Sequence, residues 1–94
     1  MSEPRAGTTL AKLVEVSGIE AKIAGDPSTV VTDLAFDSRA VTEGALFLCV
    51  RGARTDGHLH APEAARGGAA ALVADRATEV DLPTIMVDDV RAAM

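Results

Sequence analysis

Aromatic residues are almost missing from this 94-residue chain, which has no tryptophan, no tyrosine and two phenylalanines. Its core must therefore be built from Ala, Val, Leu and Ile. A content of 48% hydrophobic and 24% charged residues is that of a folded protein and argues against disorder. Cysteine occurs once, at Cys49, which excludes an internal disulfide. Its place inside an apolar run points to a buried, inert thiol rather than a nucleophile. The longest apolar runs, residues 45–50 and 67–74, fall far short of the ~20 residues that span a bilayer. The start, Met1-Ser2-Glu3-Pro4-Arg5, has no apolar segment of a secretory signal. Positive charge is also scarce, with nine Lys and Arg against fourteen Asp and Glu and a net charge of −5. Lacking a basic stripe, the chain is not expected to bind nucleic acid, which demands neutralised phosphates. The expectation is one soluble, cytoplasmic domain over residues 1–94 with no membrane partner, since domains cluster at roughly 100–150 residues.

Several chemical signatures are absent as well. No Gly-Lys pair occurs, so there is no nucleoside triphosphate loop, and G-x-G-x-x-G, G-x-S-x-G and H-E-x-x-H are all missing. His58 and His60, with Asp56 nearby, do not have the spacing of a complete metal ligand set. No metal is expected, and no nucleophile–base pair offers a catalytic residue.

What is present reads as alternating short elements. Thr8-Thr9 can cap a helix from Leu10 to about Val16, which Gly18 stops. Gly25-Asp26-Pro27-Ser28 reads as a turn. From Val30 to Asp37 the side chains alternate. Val30, Thr32, Leu34 and Phe36 share one face and Asp33 and Asp37 the other, which predicts one half-buried strand with a side toward water or a ligand. Residues 45–50 and 69–74 are uninterrupted apolar strands, joined by a loop and a helix that begins at Pro62 and ends at Gly67-Gly68. Strand, loop, helix and strand in that order predict a parallel crossover. Residues 83–87 form a further strand, and Asp88 or Asp89 can cap a helix from Val90. One turn of helix before Met94 has almost no propagation to offset nucleation, so the chain reads as a piece of something longer. The fold class is α/β, a small mixed and partly parallel sheet covered by two or three short helices.

Two polar bends, each after a predicted strand, hold the candidate ligand groups, because ligands in open α/β sheets gather at strand C-terminal ends. The first, Phe36-Asp37-Ser38-Arg39, offers a carboxylate, a hydroxyl and a guanidinium in succession. The second runs through Gly52-Ala53-Arg54-Thr55-Asp56-Gly57-His58. Its glycines permit close backbone approach to a phosphate, and an ordinary tight loop needs them equally. Asp and Ser likewise serve either to grip a polar ligand or to build the turn.

Asp37-Ser38-Arg39, Gly44-x-Leu46-Phe47, Arg51-Gly52, Asp56-Gly57-His58 and Gly68-Ala69-x-Ala71, in this order and spacing, resemble the N-terminal domain of the Mur ligases. Within that family the closest likeness is to the UDP-N-acetylmuramoyl-tripeptide synthetases (MurE type). The sister ligase that adds D-alanyl-D-alanine tends toward Asp-Thr-Arg at the first motif. The resemblance implies a domain that grips the UDP end of UDP-N-acetylmuramoyl-dipeptide for an ATP-dependent amide ligase of peptidoglycan synthesis. ATP, magnesium and the acyl-phosphate chemistry would belong to central and C-terminal domains that this sequence lacks. The rest of the ligase would be its partner, and the chain by itself would bind without ligating.

Carried over by position, the backbone of Phe36 would lie along the uracil and Ser38 would supply a contacting hydroxyl. Ala53, Arg54 and Thr55 would touch the UDP portion. Asp37, Arg39, Gly52, Asp56, Gly57 and His58 match motif positions of structural character, with Asp37 and Arg39 fixing the turn through a local ion pair. His60 stands where many relatives have an aromatic, and Gly67-Gly68 is more glycine-rich than a helix end needs.

Overall fold

The two stretches without a polar side chain lie side by side in the middle of a sheet. In the computed structural model, which describes residues 7–50, 56–88 and 90, they form β5 (Ala45–Leu48) and β6 (Ala71–Ala74). The two run parallel, with Leu46, Phe47 and Leu48 opposite Ala71, Leu72 and Val73. All eight of these residues are buried, as a strand covered on both faces requires. Parallel neighbours flank them, β4 (Asp33–Ala35) beside β5 and β7 (Thr84–Met86) beside β6. β2 (Lys22–Ala24) closes the far edge antiparallel to β7, so the five-stranded order is β2-β7-β6-β5-β4. This is the mixed, partly parallel α/β sheet that the sequence implies.

One helix covers each face. α1 (Leu10–Ser17) starts where Thr9 Oγ1 accepts the Lys12 N–H at 3.1 Å and stops at Gly18, whose φ of 69° suits glycine. Its Leu10 packs with Leu46, Leu48, Val73 and Ile85 on the first face. α2 (Ala61–Arg66), with Pro62 in its first turn, sets Ala61 and Ala64 against Ala45, Phe47, Leu72 and Ala74 on the second. Small alanines let α2 approach the sheet closely. Phe47, 1% exposed, is the largest of the fully buried side chains. Cys49 is also on this face and buried, as its apolar surroundings imply.

Three features differ from the sequence reading. Residues 30–37 are two strands rather than one, because the chain leaves one sheet and enters another at Thr32, whose N–H donates to Gly44 O. β3 (Val30–Val31) pairs with β1 (Thr8–Thr9) in a separate two-stranded sheet, while β4 joins the large one. The buried side chains are Val31 and Ala35, and Val30, Leu34 and Phe36 are exposed. Ala35 packs with Ala61 and Ala64 of α2 on one face and Val31 with Leu10 of α1 on the other, while Leu34 and Phe36 border an open groove on the α1 side. β2 has no counterpart in the sequence reading. It is an edge strand with one half-buried residue, Ile23, and its pairing comes from β7, far along the chain. Finally, Gly68 is required rather than superfluous. Its φ is 107°, and a Cβ there would stand 2.8 Å from the Glu43 Cα. Of the helix expected from Val90, only the buried Val90 lies within the described residues.

Candidate functional site

Because β4 and β5 are parallel neighbours, the bends that follow them emerge at the same end of the sheet. The first bend is a 3-10 turn, Ser38–Ala40, capped by Asp37. Asp37 Oδ1 accepts the Arg39 backbone N–H at 2.9 Å. The Arg39 guanidinium returns to the same carboxylate, through Nε at 3.1 Å and Nη2 at 2.8 Å. These bonds hold the Asp37 carboxyl down at about 2, the side-chain bond from Arg39 first and its backbone N–H second. The Arg39 guanidinium is raised by the same hydrogen bond. Both side chains remain open to water.

Ser38, half-buried, does not point freely outward. Its hydroxyl donates to Glu63 Oε1 at 2.5 Å, which ties the first bend to α2. Glu63 also lies 3.9 Å from His60 Nδ1. The sequence reading does not include Glu63. It stands 25 residues from Ser38, and no local pattern couples the two positions. The topology does so by returning the chain from β5 through α2 across the end of β4.

Phe36 is 56% exposed. With Leu34 it lines an apolar groove of about 260 Å³ between α1 and the sheet, whose other walls include Leu13, Val14, Ile19 and Leu48. The Phe36 side chain therefore faces the α1 side, while the Ser38 hydroxyl reaches the α2 side.

Of the second bend, Arg51, Gly52, Ala53, Arg54 and Thr55 lie outside the described residues. Its far end is held firmly. Gly57 N–H donates to Val50 O at 2.8 Å, which closes the two ends of the bend on each other. A Cβ on Gly57 would stand 2.6 Å from Val50 N, so the approach needs glycine. Asp56 caps a second 3-10 turn, Gly57–His60, by accepting the His58 N–H at 3.0 Å. His58 is buried, with Nδ1 2.5 Å from Asp56 Oδ1 and Nε2 3.1 Å from Asp75 Oδ1. The Asp75 N–H also points at Nε2, at 3.2 Å. A ring carrying its proton on Nδ1 donates to Asp56 and accepts from that N–H, and the doubly protonated ring can donate to both carboxylates. Arg76 completes the cluster with an ion pair to Asp56. The cluster joins the end of the second bend to the end of β6.

Cys49, beneath this cluster, has no nucleophilic character, because burial pushes its thiol up to about 12 and the Asp75 carboxylate adds to the shift. Among the described residues, no group of three or more His, Cys, Asp or Glu could hold a metal ion. Nor is any described helix long and apolar enough to cross a membrane.

Comparison with known proteins adds a family. A model described as the Mur ligase family, catalytic domain, matches residues 30–93. The UDP-N-acetylmuramoyl-L-alanyl-D-glutamate–2,6-diaminopimelate ligase of Geobacillus kaustophilus is 47% identical over 70 residues, covering 74% of this chain and 14% of that protein. The UDP-N-acetylmuramoyl-tripeptide–D-alanyl-D-alanine ligase of Escherichia coli is 38% identical over 85 residues, 90% of this chain and 18% of that one. Among solved structures, MurF from Acinetobacter baumannii superposes with a TM-score of 0.81 over 97% of this chain and 20% of its own. At 22% identity that likeness speaks for the fold alone. The chain thus spans less than one fifth of the length of each of these two curated relatives.

Proposed function

The chain belongs to the Mur ligase family, and from that premise we propose that it is the substrate-gripping N-terminal domain of a peptidoglycan-precursor ligase, holding the uridine diphosphate end of UDP-N-acetylmuramoyl-dipeptide. The observation that supports the reading is the parallel pairing of β4 and β5, which sends the strand ends that lead into the two bends to one end of the sheet. That is where open α/β sheets collect ligands. Phe36 and Ser38 serve from the first bend, and Ala53, Arg54 and Thr55 from the second. Asp37 with Arg39, and Asp56 with Gly57 and His58, hold the two bends in shape; Gly52 belongs with the latter group. The diaminopimelate ligase of Geobacillus kaustophilus acts, by its name, on UDP-N-acetylmuramoyl-L-alanyl-D-glutamate, which supports the dipeptide precursor as the substrate.

The physical logic is that of a remote handle. Binding energy from the nucleotide end positions a carboxylate far away for reaction with an amine. ATP, magnesium and the ligation itself fall to other parts of the parent ligase, which is also this domain's partner. A second reading makes the domain part of the D-alanyl-D-alanine-adding ligase, favoured by the 38% identity to that enzyme of Escherichia coli. Both readings place the same uridine diphosphate end at the same rim.

A titration of UDP into the isotope-labelled chain, followed by amide chemical shifts, tests the proposal. Each hydrogen bond to a buried base contributes roughly 0.5–1.5 kcal/mol. A few of them give binding on the order of −5 kcal/mol, a dissociation constant in the high micromolar range or weaker. Shifts should cluster at Phe36–Ser38 and Ala53–Thr55, and Ser38→Ala should weaken binding while leaving the spectrum otherwise folded. A flat response at millimolar UDP would instead indicate an interaction domain that has kept the fold and lost the ligand.

A further inference from the structure

We infer that Glu63 sets the hydrogen-bond polarity of Ser38, so that the rim accepts a hydrogen bond from its ligand's base and thereby distinguishes uracil from cytosine. The inference rests on the reading of this rim as a uridine diphosphate site. A serine hydroxyl has one hydrogen and two acceptor lone pairs. Here the hydrogen is committed to Glu63 Oε1 at 2.5 Å, a bond of the short, charge-assisted kind. What Ser38 has left for a ligand is lone pairs. It meets a donor well, and a phosphate oxygen or a carbonyl poorly.

The neighbouring charges point the same way. The Arg39 guanidinium is engaged by Asp37 through two bonds, at 3.1 and 2.8 Å, and Glu63 brings a further carboxylate to the Ser38 side. An anionic diphosphate is disfavoured beside that hydroxyl, and an uncharged base is not. Uracil carries an imide N–H at N3, and cytosine presents a bare acceptor nitrogen at the same place. We place Ser38 opposite N3 of the base, where a hydroxyl restricted to accepting pairs with the first and meets the second lone pair to lone pair. Glu63 touches no ligand in this arrangement. It is a positioning residue that acts through Ser38.

The test is a titration of UDP and CDP into the 94-residue chain and into its Glu63→Ala and Glu63→Met variants, by calorimetry or amide shifts. Methionine keeps the helix-forming stem at this exposed position should the alanine variant fold poorly. The unaltered chain should bind UDP about tenfold more tightly than CDP, and both variants should bring that ratio to about twofold or less while still binding UDP. A ratio unchanged in the variants, or equal binding of UDP and CDP by the unaltered chain, overturns the role of Glu63 and leaves the uridine diphosphate reading standing. No UDP binding at millimolar concentration overturns both.

Discussion

At the end of β4, and again at the end of β5, an aspartate caps a 3-10 turn and pairs with a basic residue two positions on. The capping backbones are nearly the same, with φ and ψ of −112° and 121° at Asp37 and −115° and 121° at Asp56. The surroundings are not. Arg39 and Asp37 side chains are 80% and 48% exposed, whereas those of His58 and Asp56 are 3% and 14% exposed. In water the first pair gains little, because solvent screens its charges and two side chains must be ordered to form it. In the interior the second pair cannot lose a member without leaving a buried polar group of the cluster without its hydrogen-bond partner. Asp75 and Arg76 extend the buried cluster, whereas the charges beside the exposed pair, Glu63 and His60, are themselves open to water. The same three-residue device therefore shapes a water-facing turn at one bend and anchors the sheet at the other.

The harshest way to break this comparison is to remove His58. His58→Ala leaves Asp56 and Asp75 facing an empty space in the interior and should cost about 3–5 kcal/mol in urea unfolding. Because Cys49 lies beneath the cluster, its modification by a thiol reagent should be slow in the unaltered chain and faster in the variant, as opening becomes more frequent. An unfolding midpoint equal to that of the unaltered chain would show that the buried cluster does not anchor the sheet.

A milder break acts at the middle residue of each turn. Gly57→Ala pushes a methyl to 2.6 Å from Val50 N and should destabilise by about 1–3 kcal/mol. Ser38→Ala, at the matching place in the other bend, removes one water-exposed hydrogen bond to Glu63 and should cost about 0.5–1 kcal/mol, with its main effect in UDP binding. Equal losses from the two substitutions would erase the distinction between anchor and contact.

The smallest effect sharpens the comparison from the exposed side. Arg39→Ala should leave the unfolding midpoint where it was and return the Asp37 carboxyl from about 2 toward the usual 3.8, followed by carboxyl NMR. The sign follows from the depressed value. Whatever Asp37 contributes to stability is present above 3.8 and fades as pH falls through about 2. A carboxyl that stays at about 2 without Arg39 would assign the shift to another group.

Much of the fold was legible because it rests on local preferences. Thr9 and Gly18 delimit α1 through capping and a left-handed φ, both matters of one or two residues. Residues 45–50 and 69–74 carry no polar side chain to place, so a central position was the available one. Lys22–Ala24 was illegible for the converse reason, since its strand character comes from pairing with Thr84–Met86. Gly68 looked redundant until Glu43 was brought against it. At the candidate site, the residue types and their order named the two bends. The Ser38–Glu63 bond and the Asp56–His58–Asp75 cluster, which spans 19 positions, needed the fold to assemble them.

What the residues determined by themselves were the helix limits, the apolar central strands and the two polar bends, because capping, turn formation and hydrophobic periodicity are free energies of near neighbours. Which face of residues 30–37 turns inward was decided only by tertiary structure. Alternation favoured burying Leu34 and Phe36, but α2 covers the face that carries Ala35, and the groove beside Leu34 and Phe36 on the α1 side stays open. Tertiary structure likewise brought to one rim the strand ends that lead into two bends well separated along the chain. Strands β4 and β5 pair in parallel, and parallel pairing sends their ends to the same rim.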